Sequence, residues 1–163
     1  MTTQQSDLRN ALTLLIAIAI AWSPGFLGAI FFATGDDSWY QQLDKPWFNP
    51  PNWVFGPVWS ILYIGIGVSL YLVWTRGERA PEWNRLMVVF AIMLVLNGLW
   101  TPAFFGLESP VAGLVVIIPM LISIAATIWL ARPFSGVAAL LLVPYFLWVS
   151  FATVLNAAIW QLN

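Results

Sequence analysis

The stretch VAGLVVIIPMLISIAATIWL, residues Val111 to Leu130, runs for twenty positions without an Asp, Glu, Lys or Arg. A helix rises about 1.5 Å per residue, so about twenty apolar residues cross a hydrocarbon core ~30 Å thick. Four similar runs surround it: Leu8 to Phe32, Val54 to Trp74, Leu86 to Phe105, and Val137 to Trp160. Hydrophobic residues form 61% of the chain and charged residues 8%, too few to coat a water-soluble particle of 163 residues. The expected fold is an all-α integral membrane protein: one bundle of five transmembrane helices, a single domain over residues 1–163. An aromatic, proline-rich loop joins helices 1 and 2. The first run exceeds a typical signal-peptide core and lacks a small-residue cleavage site, so it reads as a retained helix.

Outside the spans, short connectors at Thr75–Asn84, Gly106–Pro110 and Ala131–Gly136 make successive helices antiparallel. Pro24-Gly25 inside the first span predicts a kink there. Arg9, Arg76, Arg79, Arg85 and Arg132 fall on one side, and only Lys45 on the other. That bias predicts a cytoplasmic N-terminus and an external first loop. The acids Asp36, Asp37, Asp44 and Glu108 lie mostly on the outer side. No basic stripe exists to hold nucleic acid.

The chain has no Cys and no His, which removes thiol nucleophiles, zinc-thiolate sites and the usual general base and haem ligand. No span carries an ionisable group in its central part, which argues against a proton-coupled pump or a channel. The deep polar groups are neutral: Asn97, Thr101, Ser123, Thr127, Ser150, Thr153 and Asn156. Ser and Thr are expected to bridge helices, the alternative being return of the hydroxyl to their own helix backbone. An amide needs several partners, so Asn97 reads either as a helix bridge or as a ligand contact.

Eleven tryptophans exceed what interface anchoring requires. Four of them, Trp39, Trp47, Trp53 and Trp59, fall within one segment, WYQQLDKPWFNPPNWVFGPVW. Prolines stiffen this segment, lowering the ordering cost of a pocket wall. Its rings Trp39, Tyr40, Trp47, Phe48 and Trp53 are expected to fold back over the bundle. An interfacial aromatic belt is the plainer alternative, although a belt requires neither prolines nor fixed spacing.

The pattern W-Y-x-x-L-x-K-P-x-x-x-P-P-x-W-x-x-G-P-V-W in this loop resembles the TspO/MBR family of tryptophan-rich sensory and translocator proteins. The blocks LNGLWTPAFFG, Leu96 to Gly106, and PYFLWVSFATVLN, Pro144 to Asn156, are similar to that family's third and fifth helices. The resemblance implies a pocket beneath the first loop that binds porphyrins such as protoporphyrin IX. Cholesterol and synthetic isoquinoline or benzodiazepine ligands are known for some members. Matching positions place Tyr40, Pro50, Trp59, Tyr63, Asn97, Trp100, Trp148 and Ala152 around the pocket, and the loop rings Trp47 and Trp53 join this set. The implied role is a membrane receptor or sensor for tetrapyrroles, the porphyrin being ligand and no further cofactor being required. Alternatives are a light- and oxygen-dependent porphyrin-degrading enzyme, with Trp59 and Trp148 as catalytic rings, and a carrier of porphyrin or lipid-like molecules. The segment Asn156 to Gln161 lacks the Tyr and basic residue of the cholesterol pattern, making a sterol a poor ligand. The disc would stack on indoles while its carboxylates met Lys45 and loop donors at the mouth. Haem would bind by ring contacts alone. A homodimer rests on the resemblance only, since no G-x-x-x-G occurs in a span.

Overall fold

The computed structural model describes residues 3–31, 39–76 and 81–163, with side chains omitted at 3 and 27–31. Phe32, Asp36, Asp37 and Arg79 lie outside the described residues. Helix α1 spans Thr3–Phe31, the short α2 Trp39–Gln42, α3 Asn52–Arg76 and α4 Pro81–Thr101. Then come α5 Pro110–Ala131, α6 Gly136–Leu141 and α7 Val143–Leu162. Five segments of this array are long and apolar enough to cross a membrane: Gln4–Phe26, Asn52–Arg76, Pro81–Gly106, Pro110–Ala131 and Gly136–Leu162. The chain is thus an all-helical membrane protein among its described residues, as its apolar runs require.

Going round the bundle, α1 packs on α3 and α4, α4 on α5, α5 on α7, and α6 on α3. The helices are apolar on every side, and large residues such as Leu15, Ile61, Val115 and Leu147 face outward. Burying apolar area therefore does not select which faces meet, because lipid tails are as apolar as the partner helix. Close approach does. Ala17, Ala21, Ala131 and Ala138 are fully buried. At Gly67 a Cβ would stand 2.6 Å from the Ile18 Cα, so α1 and α3 touch backbone to backbone.

Two proline effects depart from simple spans. The third span is not one α-helix to Phe105. After Thr101 it widens into a π-turn over Pro102–Gly106, where Leu107 N–H donates to the Pro102 carbonyl at 3.0 Å. Proline has no N–H and crowds the carbonyl one turn back, which favours such a bulge. The fifth span, expected as one helix, is broken at Leu142, whose N–H turns back to the Ala139 carbonyl at 3.2 Å. Pro144, two residues on, cannot supply the donor that would continue α6 into α7. At the other end, α1 runs through Pro24 as one helix.

Serine caps fix one turn at each end of the bundle. Ser109 accepts from Ala112 N–H and Ser135 from Ala138 N–H, both at 3.2 Å, each satisfying an orphan donor of a helix start. Ser135 also accepts from Arg76 Nη1 at 3.2 Å, tying the end of α3 to the start of α6.

Candidate functional site: an indole-walled cavity

Positions 52, 55, 56, 59, 60 and 63 of α3 recur at helical spacing and line one side of a cavity of about 420 Å³. That is within the roughly 300–1,000 Å³ of small-molecule sites. Trp22, Gly25 and Phe26 of α1 stand beside them. Asn97, Trp100 and Thr101 of α4, with Phe104 and Phe105 of the π-turn, form the facing wall. Trp148, Ala152 and Asn156 of α7, each one turn apart, complete it, while Tyr40 of α2 closes the loop end.

The rings are organised as a connected stack. Trp59 lies on Tyr63 with centroids 5.3 Å apart and planes at 27°, and it meets Tyr145 edge-on at 6.0 Å. Trp22 touches Tyr63 from α1 at 5.9 Å. Trp100 stacks on Phe104 at 5.3 Å and 22°. Trp148 sits between Phe55 at 5.8 Å and Phe151 at 5.6 Å. Gly25 is needed where it stands: a Cβ there would run into the Tyr63 ring.

One polar network crosses this apolar space. Tyr63 Oη donates to Asn97 Oδ1 at 3.0 Å, and Asn97 Nδ2 donates to Tyr145 Oη at 2.8 Å. All three residues are buried. Asn97 is therefore a bridge joining α3, α4 and α7, and it lines the cavity as well. Asn156 Nδ2 donates to the Pro110 carbonyl at 2.8 Å, whereas its Oδ1, pressed toward Gly113, has no donor among the described residues. The indole nitrogens of Trp100 and Trp148 are likewise sealed and without an acceptor.

Most hydroxyls differ from the helix-bridging expectation. Ser123, Thr127, Ser150 and Thr153 return their protons to carbonyls three or four residues back in their own helices. This local acceptor is always in reach and asks nothing of a neighbouring helix. Ser69, the buried serine of α3, crosses instead, to the Ala138 carbonyl at 2.9 Å.

The loop folds over the bundle in part. Trp39, Tyr40 and Phe48 pack on Phe104, Phe105 and Phe151. Tyr40 Oη donates to Asn49 Oδ1 at 3.0 Å. Burial pushes the Tyr40 phenol above its ordinary range, and the Asn49 hydrogen bond offsets part of that. Asn163 Oδ1 accepts from Asp44 N–H and its Nδ2 donates to the Asp44 carbonyl, both at 3.0 Å, fastening the loop to the end of α7.

Of the candidate residues, Tyr40, Trp59, Tyr63, Asn97, Trp100, Trp148 and Ala152 come together around the cavity. Trp47, Pro50 and Trp53 do not line it. Trp47 occupies the tip of the turn closed by Asn49 N–H on the Pro46 carbonyl and is 94% exposed. Trp53 is one residue off the inward face of α3, about 100° round the helix, and is 75% exposed. Pro50 accepts from the Asn49 side chain instead. Lys45, expected at the mouth, caps the Gln41 and Leu43 carbonyls at 3.2 Å and lies over the Tyr40 ring. The sequence reading missed Trp22, Gly25, Phe55, Phe104, Phe105 and Asn156 as wall residues. Phe104 and Phe105 sat within a quoted block, and Trp22 with Phe26 stand one helical turn apart on α1.

Fold and site define a class: a five-helix membrane bundle enclosing an aromatic small-molecule cavity. The chain belongs to the TspO/MBR family, whose description matches residues 11–161. It is similar to a tryptophan-rich protein TspO of Archaeoglobus fulgidus, 44% identical over 94% of this chain and 99% of the relative. A tryptophan-rich sensory protein of Cereibacter sphaeroides is 35% identical over 91% and 90%. The human translocator protein is 37% identical over 85% and 82%. This membership supports a membrane sensor or receptor role.

Proposed function

We propose that the protein is a membrane receptor for tetrapyrroles, binding the free-base ring or haem inside the bundle. The observation that carries this reading is the cavity wall: indoles of Trp22, Trp59, Trp100 and Trp148 from four different helices surround one space. Flat ring faces suit a rigid apolar disc, each aromatic pair contributing roughly 0.5–1.5 kcal/mol beyond burial. Family names supply the sensory role, and Arg76, Arg85 and Arg132, one at an end of each of α3, α4 and α5, favour a cytoplasmic N-terminus.

The test is a parallel titration of protoporphyrin IX, haem and cholesterol, followed through the absorbance of the tetrapyrroles and the tryptophan emission. Saturable binding of the tetrapyrroles, weakened several-fold by Trp100→Ala but not by Trp47→Ala, is expected. Equal loss in both variants, or tight sterol binding with none for tetrapyrroles, refutes the reading. Illumination of the complex separates receptor from enzyme: a receptor returns its ligand unchanged. Light-dependent loss of absorbance that vanishes in Trp59→Phe and Trp148→Phe assigns the degrading activity instead.

A further inference from the structure

Trp148 belongs to two spaces at once. Its ring is part of the cavity wall, and it also floors a groove on the outside of the bundle between α3 and α7. The groove is lined by Ile61, Leu62, Pro144, Leu147 and Phe151, all apolar. It lies within two membrane-crossing segments, with Ile61 and Leu147 exposed on its two rims, so what reaches it comes out of the hydrocarbon. The helices forming it are loosely joined, α7 making far more of its packing against α5 than against α3.

Three features set Trp148 apart as the partition between the two spaces. Its flanking rings stand one on each side, Phe55 in the cavity wall and Phe151 in the groove. Its indole nitrogen has no acceptor among the described residues, so turning the ring breaks no hydrogen bond and exposes a donor that is now orphaned. One turn toward the inner end is Pro144, next to the break between α6 and α7, and one turn the other way is the small Ala152. The wall is thin at this point and flanked by a joint.

We propose that the groove between α3 and α7 is a bilayer-side doorway, through which a flat apolar ring dissolved in the membrane reaches the cavity past the Trp148 indole. The inference rests on the reading of the cavity as the ligand site. It identifies the ligand class by route: molecules that partition into lipid before they bind.

The test uses the full chain in phosphatidylcholine vesicles and follows the Soret-band change on mixing with protoporphyrin IX. Ile61→Trp and Leu147→Trp fill the groove from its lipid-exposed rims, and Val115→Trp, on the lipid face of α5, is the control. Association and dissociation are expected to slow together by about tenfold in the two groove variants, with the equilibrium constant within about twofold of wild type. The control should exchange at the wild-type rate. A second arm joins Ile61→Cys to Leu147→Cys with a short bis-maleimide, using the absence of native cysteine, and should slow exchange likewise. Wild-type rates in plugged and cross-linked protein, or a plugged variant that alters only the oligomeric state, overturn the doorway alone. No saturable binding by the wild type overturns both doorway and cavity reading.

Discussion

Replacing Asn97 by alanine should cost about 2 kcal/mol of stability, and nearly all of it should disappear when the two tyrosines have already lost their hydroxyls. The amide holds Tyr63 Oη at 3.0 Å and Tyr145 Oη at 2.8 Å. Its removal orphans two buried hydroxyls, each carrying a desolvation penalty of about 1–3 kcal/mol by soluble-protein measurements. Interhelical hydrogen bonds in membranes average nearer ~0.6 kcal/mol, because the unfolded helices find other partners in lipid. The neighbouring cavity also lets a ring relax. The lower half of the range therefore wins, about 1 kcal/mol for each orphan. Tyr63→Phe with Tyr145→Phe removes both partners, so Asn97→Ala in that background should lose only ~0.5 kcal/mol. Circular dichroism of thermal unfolding in detergent measures the cycle. A shift of about 4–8 °C for the single variant follows from average unfolding entropies for this chain size. Ser69→Ala removes one bond between α3 and α6, and should lose about 1 kcal/mol with no change in ligand affinity. Equal losses for Asn97→Ala with and without the hydroxyls would falsify the bridge. Ligand affinity falling without any stability change would make Asn97 a ligand contact only.

Gly67→Ala should force α1 away from α3, since its methyl would meet the Ile18 backbone at 2.6 Å; a loss of about 1–3 kcal/mol is expected on thermal unfolding, and unchanged stability refutes that contact. The Tyr40 phenol, raised by burial, gives a pH signature. An acid whose folded pKa lies above its unfolded 10.0 contributes fully below that value, and the contribution is lost as pH rises past it. The stability advantage of wild type over Tyr40→Phe should be level through neutral pH and shrink above about 10, as read from melting temperatures; an advantage that grows in alkali contradicts the buried phenol.

The membrane spans were legible because hydrocarbon demands length and apolarity, and both are local properties of the chain. α3 was expected from Val54 to Trp74 and runs from Asn52 to Arg76. What escaped was backbone irregularity: Pro102 and Pro144 were visible, but whether a proline bends, bulges or breaks a helix depends on neighbours that compensate for the missing donor. In the site, Trp59, Trp100 and Trp148 were accessible through their spaced blocks. Gly25 was not, because its value lies in a ring from another helix. Trp47 and Trp53 were misplaced for a geometric reason: a cluster of aromatics in sequence does not tell which of them a turn or a helix phase sends outward. The hydroxyls show the same limit, since a donor in a helix always has its own backbone within reach.

Among the described residues, the ring-lined interior holds no fixed charge at membrane depth: its polar atoms are the amides, hydroxyls and indole nitrogens of Asn97, Asn156, Tyr63 and their neighbours. A transmembrane potential acts on a protein through charges it can move, at about 2.3 kcal/mol per elementary charge per 100 mV. Rearrangement of these walls around a ligand moves none of the protein's own. The walls themselves are thereby insensitive to the electrical state across the bilayer.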